Sequence, residues 1–143
     1  TESRKSVPTD RDELEAAITP KTKILVLPFP NNPTGAVMER SDLEELVDVI
    51  VANDLYVITD EIYSELTYTE EGHVSIAAMP GMRDRTIYIN GLSKSHAMTG
   101  WRIGYACGPQ VILKADAEDP SVCYYVCTDN QPVCRCFRTE KRG

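Results

Sequence analysis

The chain has 143 residues, enough for one ordinary domain around a single core and short for an enzyme of several layers. Acids outnumber Lys and Arg by 22 to 15, a net charge of −7, which argues against a nucleic-acid groove or a polybasic membrane patch and favours a small-molecule partner. No apolar run approaches the roughly 18 residues that span a bilayer, and the opening TESRKSVPTD has no signal-peptide core, so the chain reads as soluble and cytoplasmic.

From Lys23, KILVLPFP is a short apolar strand ended by Pro28 and Pro30, and it delivers the turn formers NNPTG (31–35). SDLEELVDVIVAND then reads as a helix. Ser41 and Glu44 form a capping box, and Leu43, Leu46, Val47, Ile50 and Val51 recur along one face. LYVITDEIY, RTIYING and RIGYACG supply three further strands, and SHAMTG before the last is a short turn or helix. This order predicts an α/β layered sheet, and the nearly continuous apolar strands suit a parallel sheet buried on both faces. In such sheets ligands sit beyond the carboxyl ends of the strands.

Those ends carry Asn31 and Asn32, Asp60 with Tyr63, and Ser93 with Lys94. An amine directly after a strand, in a partly dehydrated site, becomes a nucleophile for carbonyl compounds, although a lysine taken at random is a solvated surface group. Asp60 closes an apolar strand, where an unpaired carboxylate costs several kcal/mol. It therefore calls for a cationic partner or several donors, or else it caps the next turn. Tyr63 puts a phenol near the same place. Pro33 biases Asn32 toward an extended backbone, and NNPTG alone is as well explained by a plain turn. Arg102, eight residues after Lys94, is a fork suited to phosphate with the hydroxyls of Ser93 and Ser95 beside it; a lone Arg is more often a surface ion pair, and His96 more often a bystander.

Together NNPTG, TDEIYSEL (59–66) and SKSHAMTGWRIGY (93–105) resemble the fold type I, pyridoxal-phosphate-dependent aminotransferases of class I/II. The resemblance runs from Val7 to Ala115 and rests on the joint pattern rather than on any one motif. It implies a partial three-layer α/β/α large domain with a mostly parallel sheet over residues 1–115, and pyridoxal 5′-phosphate as cofactor. It also implies amino acid and 2-oxo acid substrates, with homodimers among the intact relatives. Lys94 would carry the internal aldimine and shuttle the proton. Asp60 would hold the pyridinium nitrogen, Tyr63 and Asn32 the ring oxygen, and Arg102 the phosphate with Ser93 as helper. Gly91 stands where several relatives have a phosphate-binding hydroxyl. Family members are more than twice this long, so the chain reads as an internal fragment that does not transaminate alone. The alternative is a catalytically dead product that at most binds the cofactor weakly or associates with an intact homologue. A nucleotide-binding module is disfavoured, since no G-x-G-x-x-G or G-x-x-x-x-G-K-[ST] follows a strand.

Residues 116–143 depart from this pattern, mixing charge, proline and cysteine without period. Five cysteines, Cys107 alone and Cys123, Cys127, Cys134 and Cys136 near the end, suit neither a disulfide framework nor the paired C-x2-C spacing of structural zinc. One permitted coding of ADAEDPSVCYY, with the G that opens the Asp116 codon removed, encodes A-M-L-K-I-H-Q-Y-A-I, which is family-like again. The expectation is one extra nucleotide after Ala115 and a disordered, out-of-frame tail with no metal site. Resequencing the coding DNA from Ala115 to Glu118 checks it: absence of the extra G is the expected result, and its presence overturns the reading.

Overall fold

A computed structural model describes residues 11–109 and 112–113, together with the backbone of 125–128 and 131–134. Four strands form one sheet in the order β1 (Ile24–Leu27), β2 (Tyr56–Asp60), β3 (Thr86–Gly91) and β4 (Gly104–Cys107). The first three run parallel, with Leu27 opposite Thr59 and Asp60 opposite Ile89. β4 is antiparallel to β3 and starts where β3 ends, with Gly104 opposite Gly91.

Alternation decides which side chains face the core. In β1 and β2 successive side chains face opposite sides, so Leu25, Leu27, Val57 and Thr59 point one way and Ile24, Val26, Tyr56 and Ile58 the other. The first set meets helix α2 (Arg40–Ala52), whose Leu43, Leu46, Val49 and Ile50 are buried. Leu55, Ile76, Met79 and Met82 complete this core, and Leu14 of helix α1 (Arg11–Ala17) packs on it.

Two details of α2 differ from the sequence reading. The capping box is formed not by Ser41 and Glu44 but by Glu39 and Asp42: the Glu39 side chain accepts from the Asp42 N–H, and Asp42 Oδ2 accepts from the Glu39 N–H at 2.8 Å. Both pairs obey the same i, i+3 rule, and the earlier start gains the further backbone bond from Leu43 N–H to the Glu39 carbonyl, 3.2 Å. Val51 is 45% exposed, whereas Val49 is buried in its stead. Val51 lies about 100° round the helix from Ile50, beyond the edge of the stripe.

The second set of strand side chains is less covered. Ile24 and Val26 are 51% and 58% exposed, and Tyr56 and Ile89 on the same face are also exposed. The apolar strands thus fit the layered fold, but the described residues send α1 and α2 to one face only. A hairpin of β5 (Tyr125–Thr128) and β6 (Gln131–Cys134) lies in the last part of the chain. The remainder of the segment 116–143, and the side chains of its four cysteines, lie outside the described residues.

The two faces should respond differently to truncation. Leu46→Ala should lower the unfolding free energy by about 2–5 kcal/mol, the cost of a core cavity. Val26→Ala on the open face should stay within about 0.5 kcal/mol. Urea denaturation of both variants checks this, and equal losses would contradict the assignment of faces.

Candidate active site

The chain leaves β1 through two cis bonds, Phe29–Pro30 and Asn32–Pro33, and folds back at once. Gly35 N–H donates to the Asn31 carbonyl at 2.8 Å, Asn31 N–H to the Ala36 carbonyl at 2.9 Å, and the Thr34 hydroxyl to Asn31 Oδ1 at 2.8 Å. Gly35 takes φ +68°, where a side chain would be strained. With Asn31 holding the turn together, Asn32 turns outward, and its Nδ2 donates to the Tyr63 hydroxyl at 3.1 Å.

Tyr63 follows β2 by three residues and immediately precedes a 3-10 turn, Ser64–Leu66. β3 runs into a single helical turn, α3 (Leu92–Ser95), whose Ser95 hydroxyl donates to the Gly91 carbonyl at 3.2 Å. That turn brings Lys94 Nζ to 5.2 Å from the centre of the Tyr63 ring, a cation over an aromatic face. Asn32, Tyr63 and Lys94 come from three segments and form one group. A cavity of about 800 Å³ opens beside it, lined by Asn32, Tyr63, Tyr68 and Glu70 among others.

Asp60 ends β2 at the same rim. It is half-buried rather than buried, and its Oδ1 accepts from the Ile62 N–H at 3.2 Å in an Asx-type turn. This bond is the turn cap that the sequence offered as one of two explanations for the residue, and it engages only one carboxylate oxygen. Ser93 is half-buried on α3. Arg102 is exposed, sits in the left-handed region at φ +54°, and donates from Nη1 to the Thr99 carbonyl at 3.0 Å. Its guanidinium thus closes the turn Thr99–Trp101 through one of its N–H groups.

Gly91 has a steric reason to be glycine. A Cβ there would lie 2.8 Å from the Ile103 carbonyl oxygen and 3.0 Å from Gly104 Cα, both backbone atoms of the neighbouring chain segment. A hydroxyl-bearing residue could enter only by pushing β4 away from β3.

Two further polar clusters escaped the sequence reading. Glu61 is 1% exposed; its Oε2 pairs with His73 Nε2, and its Oε1 accepts from the Ser75 hydroxyl at 2.7 Å with the Thr59 hydroxyl 3.1 Å away. Alternation could have flagged this acid. Asp60 faces the open side, so Glu61 must face the core, where an acid needs partners. The partners, 12 and 14 residues on, have no regular spacing. The second is Asn90, 7% exposed at the end of β3, which bonds Ser64, Tyr88 and the Gly91 amide. Among the described residues no group of three or more His, Cys, Asp or Glu could hold a metal ion, and no helix is long and apolar enough to cross a membrane.

The family model for aminotransferase class I and II matches residues 1–135. Arginine–pyruvate transaminase of Pseudomonas aeruginosa is 48% identical over 112 residues, which cover 78% of this chain and 28% of that protein. An aspartate aminotransferase of Geobacillus stearothermophilus is 49% identical over 105 residues, 73% of this chain and 27% of that one. Among solved structures, the aromatic aminotransferase of Pyrococcus horikoshii superposes with a TM-score of 0.72 at 47% identity, over 75% of this chain and 29% of its own. The aspartate aminotransferase of Rhizobium meliloti gives 0.74 at 40% identity, over 77% and 28%. The chain spans little more than a quarter of the length of these relatives.

Tyr105 lies behind the rim, on β4 opposite Asn90, with its ring centre 6.2 Å from that of Tyr88. Burial, and then the neighbouring Tyr88, push its phenol up to about 12 from 10.0. Between those values the folded chain holds a proton that the unfolded chain has lost. The associated stability is present below pH 10 and disappears as pH rises toward 12. Ultraviolet titration should show one tyrosine ionising late, and Tyr105→Phe should remove that late step and flatten the loss of stability above pH 10. A wild-type titration with every phenol ionising near 10 would contradict it.

Proposed function

The chain belongs to the aminotransferase class I and II family, and from that premise we propose that its rim residues are the cofactor-binding part of an enzyme that exchanges amino and oxo groups between amino acids and 2-oxo acids. The observation that carries this reading is Lys94 Nζ held over the Tyr63 ring, whose hydroxyl is in turn held by Asn32. The donor set suits pyridoxal 5′-phosphate: an amine for the aldehyde, a phenol and an amide for the ring oxygen, a carboxylate for the ring nitrogen, and a guanidinium for the phosphate. When bound, the pyridinium ring supplies an electron sink for a substrate carbanion.

The chain's own groups divide the remaining tasks. Lys94 anchors the cofactor through its amine and, when freed, moves a proton to and from the substrate α-carbon. Its place on a one-turn helix at a strand end limits the arc its side chain can sweep. Tyr63 donates or accepts at the ring oxygen, and Asn32 fixes the direction of the Tyr63 hydroxyl at 3.1 Å. Asp60 holds the ring nitrogen in its protonated form; its half-buried position at the carboxyl end of β2 leaves one oxygen engaged with Ile62 N–H and the other for the ligand. Arg102 binds the phosphate with Ser93, using the guanidinium donors that the Nη1 bond to the Thr99 carbonyl leaves over.

Residues 1–115 form the cofactor-binding portion in this proposal, and 116–143 an out-of-frame tail. The given residues span little more than a quarter of their relatives' length, so for them the proposal is cofactor binding alone. In a longer polypeptide the same rim would serve a homodimeric, cytoplasmic transaminase.

The reading is tested by incubating the chain with pyridoxal phosphate, reducing with borohydride and mapping the adduct by mass spectrometry. The expected label is on Lys94, with roughly tenfold less on the exposed Lys21, a preference of about 1.4 kcal/mol. Asp60→Asn should weaken the Lys94 label, and Lys94→Arg should abolish it. Label spread evenly over surface lysines would overturn the proposal.

A further inference from the structure

Asn90 makes three hydrogen bonds in different directions. Its Nδ2 donates to the Ser64 hydroxyl at 3.0 Å and to the Tyr88 hydroxyl at 2.6 Å, and its Oδ1 accepts from the Gly91 N–H at 2.7 Å. A carboxamide has two N–H groups and a carbonyl oxygen, so both donors and the acceptor are engaged. The side chain is nearly inaccessible to water, and each partner it leaves would be an unsatisfied polar group.

The partners lie on two separate segments. Gly91 and Tyr88 belong to β3, the strand that delivers Lys94 through α3. Ser64 opens the 3-10 turn that begins immediately after Tyr63 and is 26 residues away in sequence. The bond from Asn90 to Ser64 is thus a direct cross-link between the segment that carries the amine and the segment that carries the phenol. Beyond the backbone bond from the Glu61 N–H to the Ile89 carbonyl, 2.9 Å, with which β2 and β3 part, the contacts of Tyr63 and Lys94 do not duplicate it: the Tyr63 hydroxyl is held from β1's exit loop, and Lys94 meets Tyr63 through the ring face. A cation over an aromatic ring is loosely directional and does not fix its own distance.

We propose that Asn90 is a positioning residue: its carboxamide ties the Ser64–Leu66 turn to the end of β3 and thereby sets the placement of Lys94 over Tyr63. The role rests on the proposed use of Lys94 and Tyr63 as a pair, but the geometry exists without any ligand. The hydrogen bond that Asn90 Oδ1 accepts from the Gly91 N–H contributes from the other side. It fixes the peptide at which β3 turns into α3, where Gly91 is already pressed against the backbone at Ile103 and Gly104. Rotation of the Gly91 peptide would swing α3, and with it Lys94.

The contact can be read in the ligand-free chain. Reductive methylation with ¹³C-formaldehyde keeps each lysine cationic and gives it a methyl resonance; Lys94→Arg assigns the signal of Lys94. The Tyr63 ring should displace that signal from the position of an exposed lysine such as Lys21, and Tyr63→Leu should return it there. Ser64→Ala removes only the cross-link, and should abolish most of the displacement while leaving the chain folded by circular dichroism. Asn90→Ala should do the same with a lower melting temperature. Tyr88→Phe removes the bond internal to β3 and should leave the displacement in place. An unchanged Lys94 signal in Ser64→Ala would overturn the proposal, as would an equal loss in Tyr88→Phe, which would mean general loosening of β3. Should pyridoxal phosphate fail to select Lys94 while these shifts appear as stated, the functional reading falls and the positioning role of Asn90 stands.

Discussion

Strands hydrogen-bonded in parallel must all end on the same side, and this constraint organises the molecule. The registers that place Leu27 beside Thr59 and Asp60 beside Ile89 align the exits of β1, β2 and β3 at one rim. Asn32, Tyr63 and Lys94 lie 31 residues apart in each step of sequence yet form one group because each leaves the same edge of the sheet. β4 runs the other way, so its first residue is at that rim too, and Arg102 is delivered by an entering strand instead of a departing one. The helix layer holds this alignment through a side-chain stripe on α2 that remains dry against Leu27 and Val57.

How far a sequence discloses such an arrangement depends on which forces set each part. The strands and α2 were legible because burial imposes a period, and the polar residues at strand ends were legible because the chain must leave the core there. The start of α2 was not, since Ser41 with Glu44 and Glu39 with Asp42 satisfy the same capping rule and differ only in how many backbone bonds the helix gains. Val51 was misplaced for a related reason: it is apolar, but it falls past the edge of the covered stripe. Arg102 is a plainer limit. Its position after Lys94 could be read, whereas its left-handed backbone and its bond to Thr99 depend on local closure of a turn.

The polar residues inside were the least legible. Glu61, His73, Ser75 and Thr59 converge from β2 and an irregular loop, and no period links them. Such a cluster costs desolvation and returns it only when every member is in place, so it favours one arrangement of the loop after β2 over near alternatives. Asp60 and Glu61, adjacent in sequence, illustrate the division of labour that alternation enforces: one acid is presented at the rim, and its neighbour anchors the segment behind it. The close approach of Gly91 to β4 has the same character, because a missing side chain cannot be inferred from the residues that would have clashed with it.

The open face of the sheet and its edge behave differently toward other molecules. β1 is the edge strand of the described sheet, only four residues long, and Pro28 and Pro30 follow it without an N–H to donate. Backbone addition at that edge therefore stops after one short ladder, and templated growth of stacked strands has little length to propagate from. The adjoining side chains of Ile24, Val26 and Tyr56 impose no such register. Association through this end of the sheet should then be governed by greasy contact between faces, giving amorphous, salt-promoted clusters without the strand spacing of about 4.7 Å in diffraction.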